Sequence, residues 1–270
     1  MAGLNGRNEI ERVEAEEFAR GHIGPEEEAA EARPAATVVL ARAAAAELEV
    51  LLLRRPEAAR FAAGAYVFPG GVIDPADREE ALGRRLAGAG VGKEWPALVA
   101  GLRELFEETG ILLSDDEPAA GILEEARRDL LANRVSFHAV VERCDLTFAR
   151  LRVAYFARWV TPERLARRYD ARFFLAEAPA GTVPPRLTPE HTDHVWLTPR
   201  DAVRRFHGGE LPMLFPTWKT LRQLAEYRGM GEAVAALSGR SVEPIQARLI
   251  VEGGKVRPVM PGDPGYEDGR

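Results

Sequence analysis

The acidic side chains of one predicted helix carry the clearest chemical signal in the sequence. The spacing of apolar residues predicts a helix from about Pro96 to Thr109, and Gly110 is a residue type that favours the position just after a helix. The apolar residues fall on one side of this helix, and three carboxylates fall on the other: Glu104, Glu107 and Glu108. Carboxylates at these spacings repel one another, so they either form a solvated surface or bind a positive charge.

A Gly-rich turn ahead of this helix favours the second alternative. Gly70 and Gly71 follow a proline, and glycines let the backbone approach a ligand closely. Asp74 and Asp77 add two acidic side chains to the three glutamates. Acidic groups near one such turn suit a hard divalent cation, Mg²⁺ or Mn²⁺, bound through oxygen. The sequence has no Cys/His cluster that would favour zinc instead.

The run from Arg103 to Ile111 (RELFEETGI) resembles the second half of the Nudix box, G-x5-E-x7-R-E-U-x-E-E-x-G-U, in which U is apolar. Every fixed position of that half is met. The first half departs from the pattern, because the position of its Glu, counted from Gly71, holds Asp77. Residues 78–102 then form a spacer much longer than the x7 of the motif. This variant is similar to the family branch that includes the peroxisomal coenzyme A diphosphatases.

The resemblance implies a role for each of these residues. Glu107 and Glu108 would be the main metal ligands. Glu104 would be a further ligand and a candidate base, while Arg103, four residues before Glu107, would hold the carboxylates in place. The other implied contacts are Gly71 and Asp77 to the metal, and Arg55, Gly70 and Asp74 to the substrate. For Arg55, a surface charge without a function is the alternative interpretation.

A later loop holds further candidates. Glu190 lies where other Nudix enzymes often carry an acid that binds metal or activates water, so the resemblance implies a catalytic role. The alternative is an acid that only orders the loop. His191 and His194 could act as acid or base, although a structural role is the favoured interpretation for both. We interpret His138, alone on a predicted helix, as structural or solvated.

The pattern of elements agrees with the α/β fold that the resemblance implies, an α/β/α sandwich with a mixed sheet. The predicted strands cover residues 36–41, 49–53, 66–68, 111–113, 151–160, 170–175 and 195–197. The predicted catalytic domain spans residues 35–227 and includes a helical insertion at 115–150. An N-terminal arm (1–34) would precede it, and a C-terminal extension (228–270) would follow it.

Composition limits the choice of partners. The chain has 270 residues, 46% of them hydrophobic, which is enough for one large domain. Its net charge of −6 does not predict a nucleic-acid-binding surface, and the sequence shows neither a signal peptide nor a transmembrane run. The single Cys144 excludes an internal disulfide and fits a reducing compartment. We therefore expect a cytoplasmic protein that binds a small molecule, and family analogy adds a homodimer as an expected assembly.

The reaction implied by the resemblance is hydrolysis of a diphosphate link, with Mg²⁺ or Mn²⁺ compensating the charge of an anionic substrate. Coenzyme A or an acyl-CoA, cleaved to 3′,5′-ADP and a phosphopantetheine, is the first expectation. ADP-ribose or NADH is the alternative within the same class. A non-catalytic nucleotide sensor is the alternative from another class, but such a protein would be expected to lose box carboxylates, and this sequence retains three.

Overall fold

A computed structural model describes residues 30–44, 47–163, 165, 167–182, 184–252, 255–263 and 266. Most of the predicted N-terminal arm therefore lies outside the described residues. The chain divides into two compact units. The larger comprises the described residues of Ala35–Phe156 and Arg172–Ser241, and it holds every candidate site residue. The smaller comprises those of Met1–Pro34, Ala157–Ala171 and Val242–Arg270.

The described residues contain ten strands. They are β1 (Arg33–Ala44), β2 (Glu47–Arg54), β3 (Tyr66–Val67), β4 (Gly70–Val72), β5 (Val153–Val160), β6 (Tyr169–Glu177), β7 (Asp193–Leu197), β8 (Pro244–Gln246), β9 (Arg248–Glu252) and β10 (Lys255–Val259). In the larger unit the paired strands follow the order β3-β2-β1-β6-β5, with β4 on β1 and β7 on β2. The smaller unit includes residues 158–160 at the end of β5, which pair in parallel with β8, and β9 and β10 form an antiparallel pair. Because β1 pairs antiparallel with β2 and β5 pairs parallel with β8, the predicted mixed sheet is confirmed.

Seven α-helices lie in the described part of the chain. They are α1 (Glu80–Arg85), α2 (Trp95–Thr109), α3 (Ala120–Leu131), α4 (Phe137–Arg143), α5 (Pro199–His207), α6 (Phe215–Leu224) and α7 (Met230–Leu237). Among them, none is both long and apolar enough to cross a membrane. The helix predicted over residues 96–109 is confirmed as α2. The helical insertion contains α3 and α4.

Helix α2 packs closely against the sheet. Its apolar side chains Leu98, Leu102 and Leu105 are almost completely buried, and burial of each stabilises the fold by about 1.5–3 kcal/mol. A Cβ at Gly101 would lie 2.8 Å from Cγ2 of Val38 on β1, so glycine permits this approach. The helix ends at Gly110, which has a φ of +75° and donates its N–H to the carbonyl of Phe106 at 2.8 Å.

The long spacer inside the box is folded. Residues 78–102 contain α1 and 3-10 turns, and Leu82 and Leu86 are buried in the core. The Arg85 side chain donates to the carbonyl of Leu146 at 2.7 Å, which ties the spacer to the end of the helical insertion. The extra residues therefore add packed structure next to α2 and leave the box glutamates on the helix that the motif predicts.

Two predictions about strands need correction. Residues 111–113 do not form a strand, although Ile111 and Leu113 are buried. A short apolar run shows that a segment is buried but does not show that its backbone pairs with a strand. The strands β1 and β2 also extend farther than predicted, to Ala44 and from Glu47, into residues that lay between the two predicted strands.

Candidate active site

Arg103 lies at the centre of the candidate site. It is 7% exposed, and its Nε and Nη2 atoms each lie 2.9 Å from a carboxylate oxygen of Asp77. Its Nη1 donates to Glu104 at 2.8 Å and to Glu107 at 3.1 Å. Nη2 also donates to the carbonyl of Val72 at 2.9 Å. The predicted pairing of Arg103 with Glu107, one helical turn apart, is therefore present.

Asp77 has the more complete set of partners. It is 1% exposed, and both of its oxygens accept hydrogen bonds from Arg103. Its Oδ2 also accepts the backbone N–H of Asp74 at 2.8 Å, at the start of the 3-10 turn Pro75–Arg78. The Asp74 carboxylate is exposed and lies 3.7 Å from Nη2 of Arg103. In this arrangement Asp77 orients Arg103 and connects the Gly-rich turn to α2.

Glu108 lies on the inner side of the site and is 7% exposed, so the acidic side of α2 is not a solvated surface. Its Oε2 accepts the backbone N–H of Gly70 at 3.2 Å. Its Oε1 lies 3.9 Å from Nε2 of His191. The carboxylate is therefore placed between the Gly-rich turn and the loop that precedes β7.

Both glycines of the turn allow close approach. A Cβ at Gly71 would lie 2.3 Å from Oε1 of Glu104, and a Cβ at Gly70 would lie 2.3 Å from the carbonyl oxygen of Ala36. Gly70 pairs with Thr37 through the contact of β4 with β1. The sheet thus holds the turn against α2, and a side chain at either position would displace a carboxylate or a strand.

Burial changes the acidity of the three box glutamates. It raises the pKa of Glu104 to about 7, against the opposing effect of Arg103. It also raises the pKa of Glu107. Burial raises the pKa of Glu108 well above its usual range, and the nearby charges of Glu104 and Glu190 raise it further. These carboxylates are thus hard to ionise without an added positive charge.

Two charged residues from other loops act on Glu108. Arg55 follows β2, is half-buried, and donates from Nε to the carbonyl of Phe61 at 3.0 Å. Its charge lowers the pKa of Glu108, against the larger effect of burial, while Glu190 raises it. Glu190 is exposed. The structure therefore brings Arg55 and Glu190 within electrostatic range of the box glutamates.

His191 has a more central place than its sequence indicated. Its side chain is 1% exposed, and burial lowers its pKa to about 4, with a further contribution from Arg55. Its Nδ1 has no hydrogen-bond partner among the described residues. The only signal in the sequence was its position next to Glu190. The structural interpretation of His191 and the acid–base alternative both stay predictions.

The remaining candidates lie elsewhere. His138 pairs through Nδ1 with Glu79, and its Nε2 lies 3.4 Å from Oε1 of Glu142. His194 is on β7, opposite Leu53 of β2. The Cys144 thiol is partly buried, and burial raises its pKa, which disfavours the reactive thiolate.

The carboxylate oxygens of the site are donors of the kind that a hard divalent cation prefers. In the structure, several of them accept hydrogen bonds from Arg103. Within the described ranges, no three Asp, Glu, His or Cys side chains are grouped as a ready metal site. Glu104 and Glu107 instead accept hydrogen bonds from Arg103. The carboxylates are nevertheless buried or half-buried oxygen donors with raised pKa values, next to a turn where the backbone approaches closely. Such donors suit Mg²⁺ or Mn²⁺.

Comparison with known proteins gives a consistent result. No family model matches the chain. It is 25% identical to an acyl-coenzyme A diphosphatase of Gallus gallus over 82% of this chain and 74% of that protein. It is 26% identical to "Putative nudix hydrolase 7" of Caenorhabditis elegans over 73% of this chain, and it spans 61% of that relative's length. The crystal structure of a Nudix hydrolase from Alicyclobacillus acidocaldarius is 30% identical, with 78% of this chain and 99% of that chain covered, at a TM-score of 0.66. With the box glutamates placed on α2 beside the Gly-rich turn, these likenesses show that the chain belongs to the Nudix hydrolase family.

Proposed function

We propose that this protein hydrolyses the diphosphate link of a nucleoside diphosphate derivative, and that the reaction depends on a divalent cation. The observation that carries the proposal is the buried carboxylate group at the end of α2. Glu108 is buried beside Glu104 against the Gly-rich turn, with its pKa raised well above the usual range. A bound cation would offset the free-energy cost of ionising this buried carboxylate. An anionic diphosphate would need the same positive charge.

The residues would divide the work as follows. Glu104, Glu107 and Glu108 would hold Mg²⁺ or Mn²⁺, together with the backbone at Gly71. When bound, the cation supplies positive charge that polarises the phosphoryl oxygen and makes water a better nucleophile. Arg103 would orient Glu104 and Glu107, as its hydrogen bonds indicate.

We assign Asp77 a different role from the one the motif implied. Both of its oxygens already bind Arg103, and one also accepts the N–H of Asp74. A carboxylate in this state would have to break a buried ion pair in order to bind a metal. We therefore propose that Asp77 positions Arg103. This role is consistent with the shorter side chain found where the motif has Glu.

Two residues are proposed for the proton transfer and three for the substrate site. Glu190 is an exposed acid within electrostatic range of Glu108, and it would take the proton from the attacking water. Glu104, with a pKa of about 7, is the alternative base. Arg55 would contact a substrate phosphate, while Gly70 and the exposed Asp74 would border the same space.

Coenzyme A or an acyl-CoA is the substrate we propose. Support comes from the similarity to proteins named acyl-coenzyme A diphosphatase, from Gallus gallus and Homo sapiens, at 25% and 26% identity. Water would add across the P–O–P bond, with one phosphate remaining on 3′,5′-ADP and the other on the (acyl)phosphopantetheine. The cytoplasmic location and the homodimer expected from the sequence stay predictions.

A hydrolysis screen tests this proposal. Coenzyme A, acetyl-CoA, ADP-ribose, NADH and a dinucleoside polyphosphate would each be incubated with Mg²⁺, with Mn²⁺ and with a chelator, and the products identified by mass. We expect 3′,5′-ADP from coenzyme A or acetyl-CoA at the highest rate, and no reaction with the chelator. Faster cleavage of ADP-ribose or NADH would overturn the substrate but not the reaction. Tight binding without cation-dependent turnover would favour the sensor.

A further inference from the structure

The helical insertion contacts the end of α2 through Arg127 of α3. The half-buried guanidinium donates from Nε to the carbonyl of Phe106 at 3.0 Å and from Nη2 to the carbonyl of Glu107 at 2.7 Å. These carbonyls belong to the last turn of α2, where a positive charge is favourable, and the Phe106 carbonyl also accepts the N–H of Gly110. Arg127 thus binds the backbone of the turn that carries the proposed metal ligands.

The same guanidinium also binds the loop that carries Glu190. Its Nη2 donates to the carbonyl of Arg186 at 2.5 Å, and the N–H of Arg186 donates to the carbonyl of Thr109 at 2.7 Å. The side chain of Arg186 pairs with Glu124 on α3. One end of the 184–192 loop is therefore fastened to both α2 and α3.

The other end of the loop is fastened to the sheet. The N–H of Thr192 donates to the carbonyl of Arg54, at the end of β2, at 2.9 Å. Between the two attachments, His191 lies with Nε2 3.9 Å from the Glu108 carboxylate. Glu190 therefore lies between the attachment at Thr192 and the attachment at Arg186, which Arg127 completes.

We propose that Arg127 is a positioning residue for the reaction. Through Arg127, the helical insertion holds the 184–192 loop, and with it Glu190, in place beside the box glutamates. A planar guanidinium can donate to three carbonyls in one plane, whereas the ammonium of lysine cannot reproduce that fork. This inference rests on the proposed function, because it assigns Arg127 a part in the same hydrolysis. Loss of a residue that only stabilises the fold would change the amount of folded protein. It would not change the position of the 184–192 loop relative to α2.

The first test uses kinetics with a matched control. Arg127→Gln removes the charge and most of the donors, and Arg127→Lys keeps the charge. Arg128→Gln changes the neighbouring exposed residue on α3. We expect Arg127→Gln to lower kcat about tenfold or more with little change in KM, because small displacements of catalytic groups cost rate. Arg127→Lys should recover only part of the rate, and Arg128→Gln should match the unchanged protein.

A double-variant cycle separates positioning from general destabilisation. If Arg127 acts by holding Glu190, then Glu190→Gln should lower kcat much less in the Arg127→Gln background than in the unchanged protein. Rates would be expressed per folded molecule, measured by near-UV circular dichroism. Fully additive effects would overturn the proposal, as would an Arg127→Gln rate equal to that of Arg128→Gln.

Hydrogen exchange tests the same idea without activity. The amide of Arg186, which binds Thr109, should exchange faster in Arg127→Gln than in Arg128→Gln, while the amides of β2 should be unchanged. Unaltered exchange across residues 184–192 would overturn the positioning role. If the unchanged protein hydrolyses no diphosphate in the screen, the proposed function fails, and exchange alone then decides whether Arg127 orders the loop.

Discussion

The Asp77 end and the Glu108 end of the site both hold a buried carboxylate, but they compensate its charge differently. Asp77 accepts two hydrogen bonds from Arg103 and one from a backbone N–H. Glu108 accepts the N–H of Gly70, and nearby carboxylates oppose its ionisation. A buried charge is costly unless it is paired and hydrogen-bonded. The first end is therefore a completed ion pair, whereas the second has an excess of negative charge.

This difference shows that an acid's place in the motif does not decide which partners its side chain meets. The Asp77 and Glu108 positions both belong to the motif, and both residues are 7% exposed or less. Their partners separate them, since the guanidinium of Arg103 is turned towards Asp77 with two of its nitrogens. We therefore expect substitutions at the Asp77 end to change stability and substitutions at the Glu108 end to change turnover.

Glu108→Gln should have the largest effect and tests the comparison most directly. Glutamine keeps the shape and can still accept the N–H of Gly70, but it removes the charge. We expect turnover at saturating Mg²⁺ to fall by about 100-fold or more, the scale of losing several kcal/mol of transition-state stabilisation. The stability of the cation-free protein should not fall, because a costly buried charge is gone. Glu117→Gln, at an exposed position, is the control. A rate near that of the unchanged protein would contradict the proposed ligand role.

Asp77→Asn should show the opposite pattern. The change leaves the buried Arg103 with a weaker partner, and we expect the free energy of unfolding to fall by about 2 kcal/mol. Urea unfolding measures this loss, with Asp145→Asn as a control at a side chain that is 92% exposed. Unchanged stability together with weaker Mn²⁺ binding would instead make Asp77 the ligand that the motif implied.

The pH dependence of stability should carry the signature of Glu104. Burial raises its pKa from 4.5 to about 7, so its stabilising contribution is complete below pH 4.5 and is lost as the pH rises through 7. Relative to Glu104→Gln, the cation-free protein should lose about 1–2 kcal/mol of unfolding free energy between these values. His191 has its pKa lowered from 6.5 to about 4, and its contribution is lost in the other direction, as the pH falls. The unchanged protein and Glu104→Gln both carry His191, so the difference between their urea midpoints isolates the contribution of Glu104. If the two midpoints changed with pH in parallel, the raised pKa of Glu104 would be contradicted.

Gly71→Ala should have the smallest effect. The added methyl group would lie 2.3 Å from Oε1 of Glu104, so this carboxylate must move. Because the clash involves the end of a side chain, we expect kcat to fall only about fivefold. Gly121→Ala is a suitable control, since a Cβ there meets nothing within 4 Å. Equal rates for the two variants would show that the close contact of Gly71 with Glu104 has no catalytic role.

The sequence alone determined the features that depend on local spacing. The apolar periodicity predicted a helix over 96–109, and α2 spans Trp95–Thr109. The Arg103–Glu107 pair also follows from one turn of a helix, and the three glutamates share its acidic side for the same reason. A motif with fixed positions on a helix places them relative to each other before any other element is known. The family resemblance could therefore be stated from the residues, and that resemblance implied the mixed α/β fold.

Tertiary structure decided the partners that lie far apart in the chain. Asp77 and Arg103 are 26 residues apart, and their contact depends on how the folded spacer places the 3-10 turn against α2. Arg127 binds the carbonyl of Arg186, 59 residues away, and His191 faces Glu108 from another loop. Ile111 and Leu113 are buried in a segment that pairs with no strand, and the apolar pattern alone does not distinguish such a segment from a strand. Periodicity shows which face of a segment is buried, but the atoms that meet that face are set by packing of the whole chain.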